Sequence, residues 1–251
     1  MECKLLKPYR DILFHTFTDR YGGVSKAPYE SLNLATHVGD DIKAVMKNRV
    51  IISKNHSLDL RELIYMDQIH GDHIEIIKDS MRTKIPKCDG ILSDQKGISL
   101  MVLVADCIPV LLFDPVKKVI GALHAGRNPT FKEIAKKAVL KMREVYDSRS
   151  EDIKVCLGVS IKSCCYEVSK DIADIAIESF GEKYIDKREE KYFLNLQLLN
   201  RDQLKNVGVK EENISVSKEC SCCDEDYFSY RREGITGRFA GIISLRRDHE
   251  L

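Results

Sequence analysis

The sequence predicts an α+β fold in which mixed β-sheets form a sandwich flanked by helices, within one domain that spans residues 1–251. Short segments rich in apolar and β-branched residues dominate the first half of the chain. Helical patterns alternate with them in an irregular order, which argues against a repeating barrel. The chain length fits one large domain or two small ones, and we favour one because no Pro/Gly/Ser-rich linker divides it.

Five strands are predicted from apolar runs that turn residues bound. They lie at 12–18 (ILFHTFT), 73–78 (HIEIIK), 98–105 (ISLMVLVA), 108–113 (IPVLLF) and 119–125 (VIGALHA). The last three are apolar on both faces, so we expect them inside a sheet that is covered on both sides.

Four helices are predicted from the spacing of apolar residues. The helix over 40–56 begins with an acidic pair suited to an N-cap, and the helix over 129–146 begins with Pro-Thr. Two more are expected over 169–180 and over 196–207, the latter ending ahead of Gly208.

The charge balance excludes strongly electrostatic partners. Forty basic and 39 acidic side chains give 40 − 39 = +1, so no global field attracts nucleic acid or an anionic membrane. The N-terminus lacks the layout of a signal peptide and no apolar run reaches about 18 residues, so we expect a soluble, cytoplasmic protein. Nine cysteines in such a chain are expected to be thiols, ligands or catalytic groups rather than disulfides.

Three reactive side chains stand where an apolar segment meets a turn: His70 in QIHGDH, Cys107 in VADCIPV and His124 in LHAG. Each alone has an ordinary structural interpretation, as a hydrogen-bonded histidine or a small buried thiol. Together they suit zinc with an open fourth position for water, whose pKa such a metal lowers to about 7. Residues three apart in extended chain face opposite ways, so only one of His70 and His73 should enter the site.

Nearby polar residues have two interpretations each. Asp106 could orient a ligand or accept a hydrogen bond from a substrate, or it could stabilise a turn, and Asp89 has the same ambiguity. Three arginines of FSYRREGITGR could bind a carboxylate or phosphate, or could lie solvated at the surface: Arg231, Arg232 and Arg238.

A second group of cysteines comprises Cys164 and Cys165 and the run ECSCC, in which Cys220 and Cys223 have CxxC spacing. No second CxxC or HxxxH lies near, so the spacing gives poor support for a closed zinc site. Buried or loop thiols are the simpler interpretation, and redox activity is the alternative.

The ordered motifs FTDRYGGVS, SLNLATHVGDD with KNRV, QIHG, CDGILSD, VADCIPVLLFDP, LHAG, CCYEV and FSYRREGITGR resemble the YfiH/laccase-domain family, from about residue 11 to 245. The resemblance implies an α+β sandwich with zinc held by His70, Cys107 and His124, which would also be the catalytic residues. It further implies phosphorolysis of adenosine, inosine and methylthioadenosine, with adenosine deamination. For phosphate binding, Arg49, Arg127 and Arg231 are the candidates.

One segment departs from the family pattern. The family usually has HAGWRG, whereas this chain has HAGRNP, with Arg127, Asn128 and Pro129 in place of Trp, Arg and Gly. The proposed metal ligands are kept, but an aromatic wall and a cation expected beside them are absent, and Arg127 could restore the cation.

Other functions stay open on the sequence alone. Cys107 with His124 as its base could form an amide hydrolase that acts on peptidoglycan precursors without a metal. The fold could also bind a nucleotide without turnover. Copper is the alternative metal, but only 7 − 2 = 5 histidines would remain for the oxygen-reducing cluster of a multicopper oxidase, which needs more. The expected partners are purine nucleosides and phosphate, with the chain as a monomer or homodimer.

Overall fold

The computed structural model describes residues 1–79 and 86–247 of the chain. Its strands are β1 Leu13–Phe17, β2 Leu63–Tyr65, β3 Ile74–Ile76, β4 Gly90–Ser93, β5 Ser99–Val104, β6 Ile108–Asp114, β7 Val119–Ala125, β8 Lys154–Leu157, β9 Glu167–Val168, β10 Ile185–Arg188, β11 Lys191–Leu194, β12 Ile214–Val216 and β13 Phe239–Leu245. Its α-helices are α1 Ile42–His56, α2 Arg127–Phe131, α3 Ile134–Tyr146, α4 Lys170–Phe180, α5 Leu196–Asn206 and α6 Tyr230–Glu233.

Two larger sheets form the centre of the fold. A four-stranded sheet has the order β1-β13-β5-β2, and a six-stranded sheet has the order β12-β8-β6-β7-β4-β3. Both contain parallel and antiparallel pairs. A smaller sheet with the order β10-β11-β9 forms a separate hydrogen-bonded unit.

The alternation of side chains along β6 shows how the layers stack. Leu111 and Phe113 pack in the core between the two larger sheets, while Val110 and Leu112 pack in the core that includes α3 and α5. A third core lies on the other face of the four-stranded sheet, against α1. The resulting sandwich of mixed sheets with flanking helices confirms the predicted fold class.

All five predicted strands are present within one or two residues of their predicted ends, and β5, β6 and β7 are buried along their whole length as expected. Three of the predicted helices are also confirmed, with Asp41 as the N-cap of α1, where its side chain accepts from the Lys43 N–H. The predicted helix over 129–146 is wrong as one element. It is two helices, because Glu133 adopts a left-handed φ of 60° between α2 and α3.

The expectation that the cysteines form no disulfide is wrong for one pair. Cys3 and Cys156 are joined, and Cys3 is drawn into the core between the sheets. The other seven cysteines are free. Among the helices of residues 1–79 and 86–247, none combines the length and apolar character that a membrane crossing needs.

Candidate metal centre and its cavity

Strand register brings three distant residues to one edge of the six-stranded sheet. Strands β6 and β7 are antiparallel with Pro109 opposite His124, so Cys107, just before β6, lies beside the end of β7. Strand β7 also pairs with β4. Asp89 directly precedes β4, and its backbone carbonyl accepts a hydrogen bond from the backbone N–H of His124 at 2.8 Å. His70 lies on the loop between β2 and β3, with a left-handed φ of 57°.

His70, Cys107 and His124 offer ligand atoms that all lie within 4.8 Å of one another. The two imidazole rings meet edge to face, with centroids 4.7 Å apart. Two imidazoles and a thiolate are a donor set that zinc accepts with one position left open, and all three residues line the same cavity. His73 is not part of this group; it is exposed and its Nε2 lies 3.2 Å from a carboxylate oxygen of Glu75.

Asp89 fixes both histidines from a fully buried position. Its Oδ1 accepts from His124 Nδ1 at 2.8 Å and from the His70 backbone N–H at 3.0 Å. Its Oδ2 accepts from the Gly71 N–H at 2.6 Å. Because Nδ1 of His124 is engaged, its Nε2 is the nitrogen left for a metal.

The charges of the group are strongly coupled. Burial alone raises the pKa of the Cys107 thiol, but the charge of His124 and hydrogen bonds from both histidines lower it to about 6. Burial alone lowers the pKa of His124, but the Cys107 charge and the bond to Asp89 raise it to about 9. Without a metal, a thiolate and an imidazolium therefore face each other, and a cation would take over the charge that the imidazolium supplies.

Gly126 follows β7 directly and lies against the ligand group. A Cβ at this position would meet Cys107 Sγ at 2.8 Å and His70 Cδ2 at 3.6 Å. The close approach of the backbone therefore requires a residue without a side chain here.

The group opens into a cavity of about 370 Å³, which is within the range of small-molecule sites. Its described lining residues comprise the three candidate ligands, apolar strand-end residues and a polar and aromatic set: His37, Gln68, Asp106, Tyr166, Tyr230, Arg231 and Arg238. Tyr166 is packed under the Arg231 guanidinium, which lies 5.3 Å from the ring centroid.

Asp106 lines this cavity, and its carboxylate is fully engaged by the protein. Its Oδ1 accepts from the hydroxyls of Ser221 and Ser229, both at 2.7 Å, and its Oδ2 accepts from the Arg231 N–H at 2.7 Å. Its φ of 89° turns the chain sharply before Cys107. These contacts favour the interpretation that Asp106 stabilises the turn and positions Cys107.

The three candidate arginines lie in different places. Arg231 lines the cavity, but its Nη1 and Nη2 donate to the Glu167 carbonyl. Arg127 begins α2, where its Nε donates to Asn128 Oδ1 at 3.3 Å. Arg49 is buried on α1, where its Nε and Nη2 donate to the Leu34 carbonyl. Neither Arg127 nor Arg49 is among the described residues that line the cavity.

Sequence reasoning missed several cavity residues. His37, Gln68, Tyr166 and Tyr230 belong to the family motifs, but no spacing links them to the three candidate ligands. Gln68 is placed by hydrogen bonds with both the N–H and the carbonyl of Leu103 on β5. Only the pairing of strands and loops reveals that these residues share one wall.

Comparison with known proteins gives a family match and curated relatives. Residues 14–246 match the family model described as multi-copper polyphenol oxidoreductase laccase. A purine nucleoside phosphorylase of Corynebacterium glutamicum is 36% identical over 234 residues, which cover 92% of this chain and 94% of the relative. The purine nucleoside phosphorylase YlmD of Bacillus subtilis is 33% identical over 243 residues, covering 92% and 87%.

Solved structures share the fold over nearly the whole chain. YlmD from Geobacillus stearothermophilus has a TM-score of 0.90 at 32% identity and covers 94% of this chain and 92% of its own. The Bacillus licheniformis hypothetical protein YfiH has a TM-score of 0.87 at 32% identity, with 93% of each chain covered.

Proposed function

This chain belongs to the multi-copper polyphenol oxidoreductase laccase family, and on that premise we propose that it is a zinc-dependent purine nucleoside phosphorylase. The proposed substrates are adenosine, inosine and methylthioadenosine with phosphate, giving the free base and ribose 1-phosphate or methylthioribose 1-phosphate. Deamination of adenosine is proposed as a second activity. Relatives that carry the phosphorylase name support the first reaction.

The observation that carries the proposal is a preformed His70–Cys107–His124 group at the base of a cavity of about 370 Å³. Zinc held there would supply a Lewis acid and would favour the deprotonated form of a water bound beside the substrate. Asp89 keeps the proton on His124 Nδ1, so that Nε2 stays available as a ligand.

Aromatic and cationic residues in the cavity lining support the proposed binding of a nucleoside and phosphate. Tyr166 and Tyr230 line the cavity, where their rings would give a purine base aromatic contacts. Arg231 and Arg238 bring positive charge to the same cavity, which suits phosphate and the charge that develops when the glycosidic bond breaks. Asp106 holds the backbone of Arg231 and thereby positions that wall.

The test is to incubate the purified protein with each nucleoside, with and without inorganic phosphate, and to quantify ribose 1-phosphate, free base and inosine. Phosphate-dependent ribose 1-phosphate supports phosphorolysis, and inosine formed from adenosine supports deamination. Cys107→Ala should remove both activities, whereas Cys222→Ala, a cysteine outside the cavity, should keep them. If no product exceeds that of Cys107→Ala, the proposal fails.

A second candidate, a metal-free cysteine amide hydrolase, is supported by one observation. Cys107, His124 and Asp89 form a chain in which a lowered thiol pKa is joined to a base that a carboxylate orients. Metal content separates the two candidates. Loss of one zinc ion per chain in His70→Ala supports the phosphorylase, because a thiolate bound to zinc is a poor nucleophile. Hydrolysis of a peptidoglycan-precursor amide with no metal at the His70 site supports the hydrolase.

A further inference from the structure

We propose that Cys164, Cys165, Cys220 and Cys223 bind a second zinc ion in a closed tetrathiolate site, separate from the catalytic cavity. The sulfur atoms of these four residues all lie within 4.8 Å of one another, although the two pairs are separated by more than 50 residues in sequence. The inference is independent of the proposed activity, since none of the four is a cavity ligand.

The spacing of the sulfurs matches a tetrahedral site. Zinc–sulfur bonds of about 2.3 Å in a tetrahedron place the sulfurs about 3.8 Å apart. Here Cys223 Sγ lies 3.6 Å from Cys164 Sγ and 3.2 Å from Cys165 Sγ. All pairs of these sulfurs lie within 4.8 Å, so their separations depart from the tetrahedral value by about 1 Å or less.

The backbone holds the two cysteine loops together without a metal. Ser160 and Cys220 form a parallel β-bridge, and the Lys162 N–H donates to Cys220 Sγ at 3.4 Å. Such N–H bonds to sulfur are typical of the outer shell of metal–thiolate sites. The ligand loops are therefore positioned by the fold rather than by chance proximity of exposed thiols.

Three arginine side chains donate hydrogen bonds to backbone carbonyl oxygens of the same two loops. Arg188 donates to Cys164 O at 3.5 Å and Arg231 donates to Cys165 O at 3.1 Å, while Arg232 donates to Cys222 O at 3.1 Å. Four thiolates around one zinc ion carry a net charge of −2, and adjacent cations offset it.

A disulfide is the competing use of these residues, and the geometry favours the metal. A disulfide would join two sulfurs and leave the other two crowded against it, whereas one ion uses all four. The Cys223 sulfur is close to the sulfurs of both Cys164 and Cys165, so the geometry does not single out one partner for a disulfide. The joined pair Cys3 and Cys156 has no such additional thiols in its group among the described residues.

Zinc at this site would restrict the movement of residues that line the neighbouring cavity. Tyr166 follows Cys165 directly and lines that cavity. Ser221, between Cys220 and Cys223, donates its hydroxyl to Asp106. An ion held by both loops would therefore lock Tyr166 and the Asp106 turn in place, as a structural metal rather than a catalytic one.

The experiment measures metal content and cobalt(II) spectra of protein purified under reducing, anaerobic conditions. The double variant Cys220→Ser, Cys223→Ser should hold one zinc ion per chain fewer than the wild-type protein, which holds two when the site at His70 is also filled. Cobalt(II) replacing the retained zinc in His70→Ala should give the intense ligand-field and charge-transfer bands of a tetrathiolate. Loss of that signal in the double variant ties it to the second site.

Cys222→Ser is the matched control, because this residue lies within the same loop but outside the group of four. It should keep the full metal content. Cys164→Ser, at an exposed position, provides a second variant if the double variant does not fold, and it should weaken the cobalt signal. The inference is overturned if zinc content is unchanged in the double variant, if Cys222→Ser loses the same ion, or if peptide mapping under these conditions finds Cys223 in a disulfide.

Discussion

Replacing Asp89 by Asn tests whether this carboxylate orients the metal ligands. Both oxygens of Asp89 accept hydrogen bonds: Oδ1 from His124 Nδ1 and the His70 N–H, and Oδ2 from the Gly71 and Ile69 N–H groups. An asparagine of the same shape has one acceptor and one donor group. In either orientation of the amide, its NH₂ group would face an N–H that hydrogen-bonds to Asp89 in the wild-type protein. That N–H would lose its acceptor.

The expected loss of stability and of zinc affinity follows from the hydrogen-bond donors that lose their acceptor. If the amide oxygen takes the Oδ1 position, the Gly71 and Ile69 N–H groups lose their acceptor, and each buried unsatisfied group costs about 1–3 kcal/mol. If it takes the Oδ2 position, His124 and His70 lose their acceptor and His124 can change tautomer, which removes Nε2 as a ligand. Loss of an outer-shell partner weakens metal binding by about 10- to 100-fold, or about 1.4–2.7 kcal/mol.

The assay is competition with a chelator, which gives the zinc dissociation constant of the site at His70. Asp114→Asn is the matched control: Asp114 is a fully buried carboxylate at the opposite end of β6, and its Oδ2 has no hydrogen-bond partner among residues 1–79 and 86–247. It should leave zinc affinity unchanged. An Asp89→Asn protein that binds zinc as tightly as the wild type would refute the role given to Asp89.

Three further outcomes are expected. Gly126→Ala should weaken zinc binding by about tenfold or more, because its Cβ would lie 2.8 Å from Cys107 Sγ; unchanged affinity contradicts this. In metal-free protein, alkylation of Cys107 followed by peptide mass spectrometry should rise with pH around a midpoint of about 6, and in His124→Ala the midpoint should move up towards about 8.5; equal midpoints would exclude the coupling. Arg49→Met should lower the free energy of unfolding in urea by about 1.5–3 kcal/mol, because the Leu34 carbonyl loses a charged donor, and should leave the KM for phosphate unchanged; a raised KM without loss of stability would instead assign Arg49 to binding.

The central strands could be predicted from the sequence because burial on both faces leaves a continuous apolar run. This holds for β5, β6 and β7. The strands β10 and β11 carry exposed charged residues and form an edge hairpin, so neither an apolar run nor an alternation marks them. β13 was missed although its seven residues are all buried, and its apolar run was the signal that could have found it.

The sequence alone does not predict the backbone conformation of a single residue or the register in which strands pair. The break at Glu133 depends on one left-handed residue that is neither Gly nor Asn, within an otherwise helical pattern. Asp89 was recognised as a candidate, but its partner depends on the pairing of β4 with β7. The four-cysteine group likewise depends on contact between two loops, which CxxC spacing alone does not predict.

The segment HAGRNP shows what its departure from the family pattern changes. Pro129 and Thr130 are buried in α2, where Thr130 Oγ1 accepts from Asn200 on α5. None of Arg127, Asn128 and Pro129 is among the described residues that line the cavity, whereas Arg231 and Tyr166 are. Aromatic and cationic side chains therefore reach the cavity from the segments that follow the two pairs of cysteines. Arg127 nevertheless acts on these side chains from outside the cavity lining: burial raises the pKa of Tyr166, and the positive charge of Arg127 opposes that shift.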